Sequence, residues 1–302
     1  MHKPDEAKTA FTTHEGTYCY TKMPFGLKNE GATFQRMVNK MFKEKIGKNV
    51  EIYVDDMIVK SRRAEEHPED LREVLEILRR FNLKLNPEKC VFGVKSGKFL
   101  GFMVSQRGIE ANPDKIKAII NMEPPKTLND IQRLNGRITA LGRFISSSAK
   151  RCLPFFKTLK DPKNFQWSDD CAQAFQGIKT FLTSPPLLSR PIEGETLYLY
   201  LATTEETLAA VLIREENGEQ LPIYYISKVL HEAELNYPKL ERLAYALLIA
   251  TQKLRHYFEA HPVIVRTDSP LRKVLQKAEA SGRIAEWVIH IGSLGVEGTG
   301  FS

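Results

Sequence analysis

Cysteine is scarce: four in 302 residues, at positions 19, 90, 152 and 171, with no C-x-x-C and no Cys/His pair at metal-ligand spacing. That excludes a zinc ribbon and gives no sign of a disulfide framework, so reduced packing residues are expected. No apolar run approaches the roughly 20 residues that a membrane span needs. Met1-His2-Lys3-Pro4-Asp5-Glu6 lacks the apolar core of a signal peptide. An intracellular, soluble protein with no membrane partner is therefore expected. Internal repeats and low-complexity tracts are also missing. What is present is an ordinary globular mixture, 42% hydrophobic and 27% charged, long enough for two compact domains with their own cores or one extended multi-part enzyme.

Charge is where the chain departs from the ordinary. The net charge is +7, and it is concentrated. Between Ser105 and Lys163 there are twelve Lys or Arg against five Asp or Glu, so this one segment accounts for the whole excess. Cations gathered on helices fit a polyanion partner, although a solvated charged face would look the same.

The most informative stretch is Val50-Glu51-Ile52-Tyr53-Val54-Asp55-Asp56-Met57-Ile58-Val59. Alternating apolar residues on both sides of two aspartates predict a β-hairpin with both carboxylates at its tip. Asp-Asp is a poor two-residue hairpin loop, because that loop favours Asn-Gly or Asp-Gly and here sets two like charges side by side. Adjacent carboxylates on a rigid hairpin make a hard-oxygen site for a divalent metal holding a nucleotide's phosphates. Alone, the same tetrapeptide is also an ordinary acidic turn in water.

Elsewhere the pattern alternates irregularly. Two short strands are predicted over 9–13 and 17–20, then a Gly/Pro loop, Met23 to Gln35, whose backbone must approach something closely, and a helix over about 31–45 with Phe34, Val38, Met41 and Phe42 buried. Residues 68–81 form an amphipathic helix with Leu71, Val74, Leu75 and Leu78 inward, followed by a strand over 83–85 and a hairpin from Cys90–Gly93 to Lys98–Val104. Asn112-Pro113 and Thr127-Leu128-Asn129-Asp130 start two helices, the second lined by Ile131, Leu134, Ile138, Leu141 and Ile145. This basic helical module is where a duplex is expected to lie. After the prolines of 184–191 come three strands, with Asn217-Gly218 the strongest hairpin signal, a helix over 238–258, a strand over 263–267 ending at Asp268, and a helix capped by Ser269-Pro270. The sum is an α+β chain rather than a doubly wound sheet.

These pieces carry a resemblance. Tyr53-Val54-Asp55-Asp56 resembles the reverse-transcriptase catalytic box. Met23-Pro24-Phe25-Gly26-Leu27 with Thr33-Phe34-Gln35 resembles that family's nucleotide-pocket and template-contact segment. Leu85-Asn86-Pro87-Glu88-Lys89-Cys90 is similar to its next loop, and Phe99-Leu100-Gly101 to the primer-grip hairpin. In this order and at these distances the boxes resemble the polymerase region of a gypsy-type LTR retrotransposon, most closely the plant elements. The fold so implied is a reverse-transcriptase palm/fingers fragment over 1–104, a basic helical thumb/connection over 105–184, and an RNase H-like α/β domain over 185–302, incomplete at its C-terminus.

The resemblance implies template-directed DNA synthesis on an RNA template and DNA primer from dNTPs, with two Mg²⁺ ions held by carboxylates. Asp55 and Asp56 would be the catalytic metal ligands. Phe25, Gly26 and Tyr53 would line the nucleotide site, Gln35 would contact template or nucleotide, Lys89 would neutralise phosphate, and Phe99, Leu100 and Gly101 would form the primer grip. The remaining parts of a polyprotein would be partners.

Two departures qualify this. The family's third metal-binding aspartate lies in a strand upstream of the segment resembled by Pro4 to Thr12, so the chain is expected to be N-terminally truncated and to polymerise feebly alone. In the RNase H-like domain Glu241 and Asp268 are in register as residual acids, but Ala202 stands where the first-strand aspartate belongs. That domain is expected to be a structural platform rather than a nuclease. The competing reading is a catalytically dead nucleic-acid-binding remnant, and a third is an unrelated metal-dependent phosphotransferase.

Overall fold

The computed structural model describes residues 1–160, 166–267, 269, 271 and 282–292. It parts into two compact units, Met1–Leu100 and Gly101–Ser302. The helical segment and the C-terminal sheet, expected as separate domains on either side of 184, lie in the same unit.

The first unit runs α1 (Lys3–Glu6), β1 (Phe11–Thr13), β2 (Gly16–Tyr18), α2 (Glu30–Met41), β3 (Val50–Tyr53), β4 (Asp56–Val59), α3 (His67–Arg80) and β5 (Ser96–Phe99). The β1–β2 hairpin is exposed along its whole length. The core is small: Val38, Phe42, Val50, Val74 and Leu78. α2 contributes to it because Phe34, Val38 and Met41 recur at i, i+4 and i+7, on one helix face. Asp70 in the first turn of α3 accepts hydrogen bonds from Asn49 Nδ2 at 2.8 Å and Ser61 Oγ at 2.5 Å, fastening that helix to both ends of the β3–β4 segment.

Several expectations for this unit need correction. α2 ends at Met41 rather than 45, Leu75 on α3 is 37% exposed, residues 83–85 form no strand, and Cys90–Gly93 is not the first arm of the hairpin. Leu83, Leu85, Val91 and Phe92 are apolar, but Leu85, Val91 and Phe92 face solvent, so burial never rewards extended pairing there. Propensity alone did not decide the segment.

The second unit opens with the hairpin β6 (Phe102–Ser105) and β7 (Gly108–Ala111). Gly108 has φ +140°, and a Cβ there would lie 2.1 Å from the Leu188 carbonyl oxygen, so only glycine lets Ile109 pair with Leu188. Next come α4 (Pro113–Ile120), α5 (Leu128–Ala140), α6 (Ser148–Arg151), α7 (Leu153–Lys160) and α8 (Asp169–Thr183). The Thr127/Asp130 capping box is present as expected, with each residue bonding the other's backbone. Ile131, Leu134, Ile138, Phe155, Ile178 and Leu182 form a continuous core. Leu141 and Ile145 are buried too, although the helix has already ended at Ala140.

The sheet is built from β8 (Leu197–Thr203), β9 (Thr207–Glu216) and β10 (Glu219–Val229). Then come α9 (Lys239–Lys253), α10 (Arg255–Ala260), β11 (Val263–Arg266) and α11 (Gly282–Gly292). Its order is β10-β9-β8-β11, with β11 parallel to β8 and the other pairs antiparallel. A parallel pair needs a crossover, and α9 with α10 supplies it. Asn217 and Gly218 turn β9 into β10 with φ of 53° and 83°, the left-handed pair that a type I′ turn requires. The predicted single helix over 238–258 is broken at Leu254 into α9 and α10.

The basic helical segment is less free than its charge suggests. Arg137 Nη1 donates to the Ala118 carbonyl at 2.6 Å. Arg143 stacks over Phe102, Phe144 and Tyr224. Arg151 donates to the Ser146 carbonyl and lies over Phe181. Arg133 pairs with Asp130 and Lys157 with Glu206. Ala149 N–H donates to Ser227 Oγ on β10 at 3.0 Å, so the helices are joined directly to the sheet.

Candidate active site

β3 and β4 pair with Tyr53 opposite Asp56. The two-residue turn is therefore Val54-Asp55, not Asp55-Asp56 as the sequence suggested, and Asp56 is the first residue of the returning strand. Val54 has φ +49°. A β-branched residue in the left-handed region is a true outlier and costs about 1–2 kcal/mol.

Gln35 on α2 holds that turn. Val54 N–H donates to Gln35 Oε1 at 2.6 Å, and Gln35 Nε2 donates to the Ile52 carbonyl at 3.2 Å and to Asn39 Oδ1 at 2.8 Å. Both ends of the carboxamide are thus committed to the hairpin and its own helix. Beside it, Gly31 comes so close that an added Cβ would touch the Val54 side chain at 3.8 Å. The strain is held by α2 from behind, and the two aspartates are presented outward, both exposed.

The carboxylates differ. Asp56 Oδ2 accepts a hydrogen bond from Leu100 N–H at 3.0 Å. This joins two boxes that lie 44 residues apart. Leu100 and Gly101, with φ of 52° and 76°, form the tight turn at which the first unit ends. Leu100 is 43% exposed and Phe99 half-buried.

The Met23–Leu27 loop is tied to the same helix. Gly26, at φ +92°, donates its N–H to Glu30 Oε2 at 2.8 Å, and Glu30 N–H donates to the Leu27 carbonyl at 3.0 Å. Phe25 at the loop's tip is 96% exposed, and Tyr53 is 58% exposed. Through α2 the structure thus links the loop of Phe25 and Gly26 to the tip of Asp55 and Asp56. Lys89 lies exposed in the turn Pro87–Lys89, capped by Asn86, and no hydrogen bond or ion pair among the described residues ties it to the hairpin.

As a metal centre the tip supplies hard carboxylate oxygens, the donor type Mg²⁺ prefers. Among the described residues no cluster of three or more His, Cys, Asp or Glu forms. Two adjacent carboxylates, one shared with a backbone N–H, fit the ion in kind but fall short of a cage in number.

In the second unit Ala202 is exposed near the end of β8, opposite Ala209 on β9. Glu241 lies in the first turn of α9. Asp268, the other expected acid, and the helix expected after Ser269-Pro270 lie outside the described residues. Sequence reasoning missed Val54, Glu30 and the Leu100 N–H. The first follows only from the observed register: with Val50 paired to Val59, Val54 falls in the turn.

Residues 1–104 match the family described as "Reverse transcriptase (RNA-dependent DNA polymerase)", and residues 167–265 match "RNase H-like domain found in reverse transcriptase". The chain is 33% identical over 304 aligned residues to the Retrovirus-related Pol polyprotein from transposon opus of Drosophila melanogaster, covering 96% of this chain and 30% of the relative. It is 27% identical to the Transposon Tf2-3 polyprotein of Schizosaccharomyces pombe, covering 96% and 22%. It therefore spans under a third of the length of these curated relatives. Among solved structures, a foamy viral protease-reverse transcriptase in complex with dsDNA matches with a TM-score of 0.80 at 22% identity, over 100% of this chain and 63% of that one. The same protein in complex with RNA/DNA hybrid gives 0.81, over 100% and 41%. No helix among the described residues is long and apolar enough to cross a membrane.

Proposed function

We propose that this chain, the reverse transcriptase and RNase H-like region of a retrotransposon-type polyprotein, contributes the primer-end carboxylates of an RNA-directed DNA polymerase. The observation that carries this reading is the Val54-Asp55 turn: a strained backbone that projects two exposed aspartates and is held by Gln35 of α2, the helix that through Glu30 also ties down the loop of Phe25 and Gly26. Strain of this kind persists where surrounding structure over-determines it, and it clusters at functional sites.

Asp55 and Asp56 would hold the divalent ions. When bound, such ions supply charge neutralisation at the attacking and leaving oxygens of phosphoryl transfer. Asp55, which accepts no hydrogen bond among the described residues, offers both oxygens. Asp56 is oriented by the Leu100 N–H. Gly26, with no side chain on its outer face, allows a nucleotide to approach the backbone, and Phe25 and Tyr53 offer apolar surface for a sugar or base. Leu100 and Gly101 would steady the primer strand. Gln35 acts by shaping the turn rather than by touching template, because its carboxamide is already used. RNA template, DNA primer and dNTPs are the partners this requires, along with further parts of a polyprotein. The plant type of the element and the supply of a third carboxylate from an upstream strand belong to the same proposal, as do the domain limits at 104 and 184.

Primer extension on an RNA template in Mg²⁺ tests it. The 302-residue chain is expected to bind primer–template and extend it feebly, and the residual extension is expected to vanish in D55N and D56N with binding unchanged. Extension that survives both substitutions would overturn the assignment. Robust extension by the parent chain would overturn the shortage of ligands.

A second reading has two observations in its favour: no three-carboxylate cluster forms among the described residues, and Ala202 occupies the first-strand position of the RNase H-like sheet. In that reading the chain is a nucleic-acid holder without chemistry, and salt-dependent affinity with neither extension nor hybrid cleavage would favour it. Hybrid cleavage abolished by E241Q would instead restore the nuclease.

A further inference from the structure

α5 carries a polar residue on its apolar face. Asn135 lies four positions after Ile131 and three before Ile138, on the stripe that builds the helical core, and it is 9% exposed. Neither its Nδ2 nor its Oδ1 has a hydrogen-bond partner among the described residues. A buried carboxamide in that state costs stability that no contact within the protein offsets. An unsatisfied polar group in a folded core calls for a partner from elsewhere.

Asn135 lines a cavity of about 220 Å³ shared by the helical segment and β10. Phe156 of α7 and Tyr224 and Tyr225 of β10 give it aromatic walls, and the Arg143 guanidinium, also in the wall, lies 4.6 Å over the Tyr224 ring. Arg143 Nε is a further buried atom without a partner. Other polar groups of the wall are already engaged: Ser227 Oγ by Ala149 N–H and the Leu208 carbonyl, and Lys228 by Glu234 and Tyr245. A water needs two to four polar partners, which rings do not supply. A flat ring system would cover the aromatic walls. The volume is somewhat below the roughly 300 Å³ at which drug-sized sites begin, so a small ring system is what fits. The last torsion of an asparagine side chain is broad, so its carboxamide can turn to a ligand with α5 unmoved.

We propose that this cavity binds a small, neutral, planar cyclic amide. The ligand's N–H donates to Asn135 Oδ1 while its carbonyl accepts from Asn135 Nδ2, the paired edge that an asparagine side chain matches. Arg143 Nε–H is a second donor in the same wall. The inference goes beyond the polymerase reading and does not rest on it, since every residue it uses lies in the second unit. A ligand there touches α5, α7 and β10 at once, and so fastens the helices to the sheet.

The test titrates 2-pyridone into the full chain, followed by saturation-transfer NMR and by thermal shift. A Kd on the order of 1 mM is expected, within reach of a ligand this small, and a concentration of about 10 mM should raise the melting midpoint. N-methyl-2-pyridone keeps the ring and the carbonyl but has no N–H, and should bind at least about tenfold more weakly. N135L should weaken 2-pyridone at least about tenfold and melt no lower than the parent, because leucine has a similar volume and no polar atom to leave unpaired. An asparagine kept only for the fold would melt lower when replaced. Equal binding of the two pyridones by the parent overturns the proposal even if N135L fails to fold, and so does equal binding of 2-pyridone by parent and N135L. A parent that binds neither pyridone leaves the carboxamide to water and overturns it as well. None of these outcomes bears on primer extension, so the polymerase reading stands or falls separately.

Discussion

The two units treat charge and aromatic surface in opposite ways. In the first, only five residues of the core cluster are fully buried, while Asp55 and Asp56, Phe25 and Tyr53 stand in solvent and the β1–β2 hairpin is exposed along its length. In the second, Arg143, Arg137 and Arg151 are drawn against rings and carbonyls, and Arg214 is nearly buried between two glutamates. The lesson is that the same residue type does different work according to what folding has already spent it on. A charge left free at a held turn is available for chemistry. One wedged into a core specifies how helices and sheet fit together.

The strongest break in that comparison is Arg214. It is 5% exposed, donates from Nε to both Glu195 oxygens at 2.9 and 3.1 Å, and pairs through Nη1 with Glu216. The hydrogen bonds to Glu195, then those to Glu216, hold its guanidinium firmly in the charged form against the opposing effect of burial. R214A leaves Glu195 with no cation in a low-dielectric place, and removing one partner of a buried pair costs about 3–5 kcal/mol. Urea denaturation should show that loss, and hydrogen exchange should place it in β9 and the 189–195 loop while the amides of α2 are unchanged. A loss under 1 kcal/mol would mean this arginine is as dispensable as a surface one.

Next in size are the exposed acids, where the effect is on chemistry instead of stability. D55N should leave the unfolding midpoint within about 0.5 kcal/mol of the parent, as for surface positions. It should lower primer extension at least about 100-fold, since even outer-shell partners of a metal are worth 10 to 100-fold. Equal loss of both properties would erase the contrast between the units.

How much of this was legible beforehand follows the same line. Periodicity located the β3–β4 hairpin, α3, α5 and the sheet, because burial on one face writes itself into spacing. Asn217-Gly218 gave its turn because only such pairs accept two positive φ values. The Val54-Asp55 turn was not legible by that rule, since local preference argues against valine there, and only the contact with Gln35, 19 residues away, makes it tenable. The arginines of the helical module read as a nucleic-acid footprint for the same reason: sequence shows a charge but not the ring or carbonyl that has already claimed it. Residues 83–85 and Cys90–Gly93 read as strands because apolar content was counted without knowing that Leu85, Val91 and Phe92 face solvent.

The held turn gives a smaller test. V54G removes the steric cost of positive φ at residue 54 and should stabilise the first unit by about 1 kcal/mol, yet lower extension because the tip can now relax. Q35L takes away the acceptor for Val54 N–H and the donor to the Ile52 carbonyl, and should lose stability and extension together. If V54G instead raised extension, the strain would be incidental to the chemistry.

The smallest effect concerns Asp70, whose role is purely to fasten α3. The hydrogen bond from Ser61, then that from Asn49, holds its carboxyl below the ordinary range. A carboxylate whose folded pKa is depressed stabilises the fold fully above its unfolded value of about 3.9, and the contribution fades as pH falls through the lower folded value. D70N keeps the shape and removes the charge, so the parent should exceed it by about 1 kcal/mol from pH 5 to 8. The difference should close below about pH 4. Urea midpoints of the two proteins from pH 2.5 to 8 follow this directly. A gap that stayed constant through acid pH would show that the Asp70 network acts by shape alone, unlike the charged network of Arg214 in the second unit.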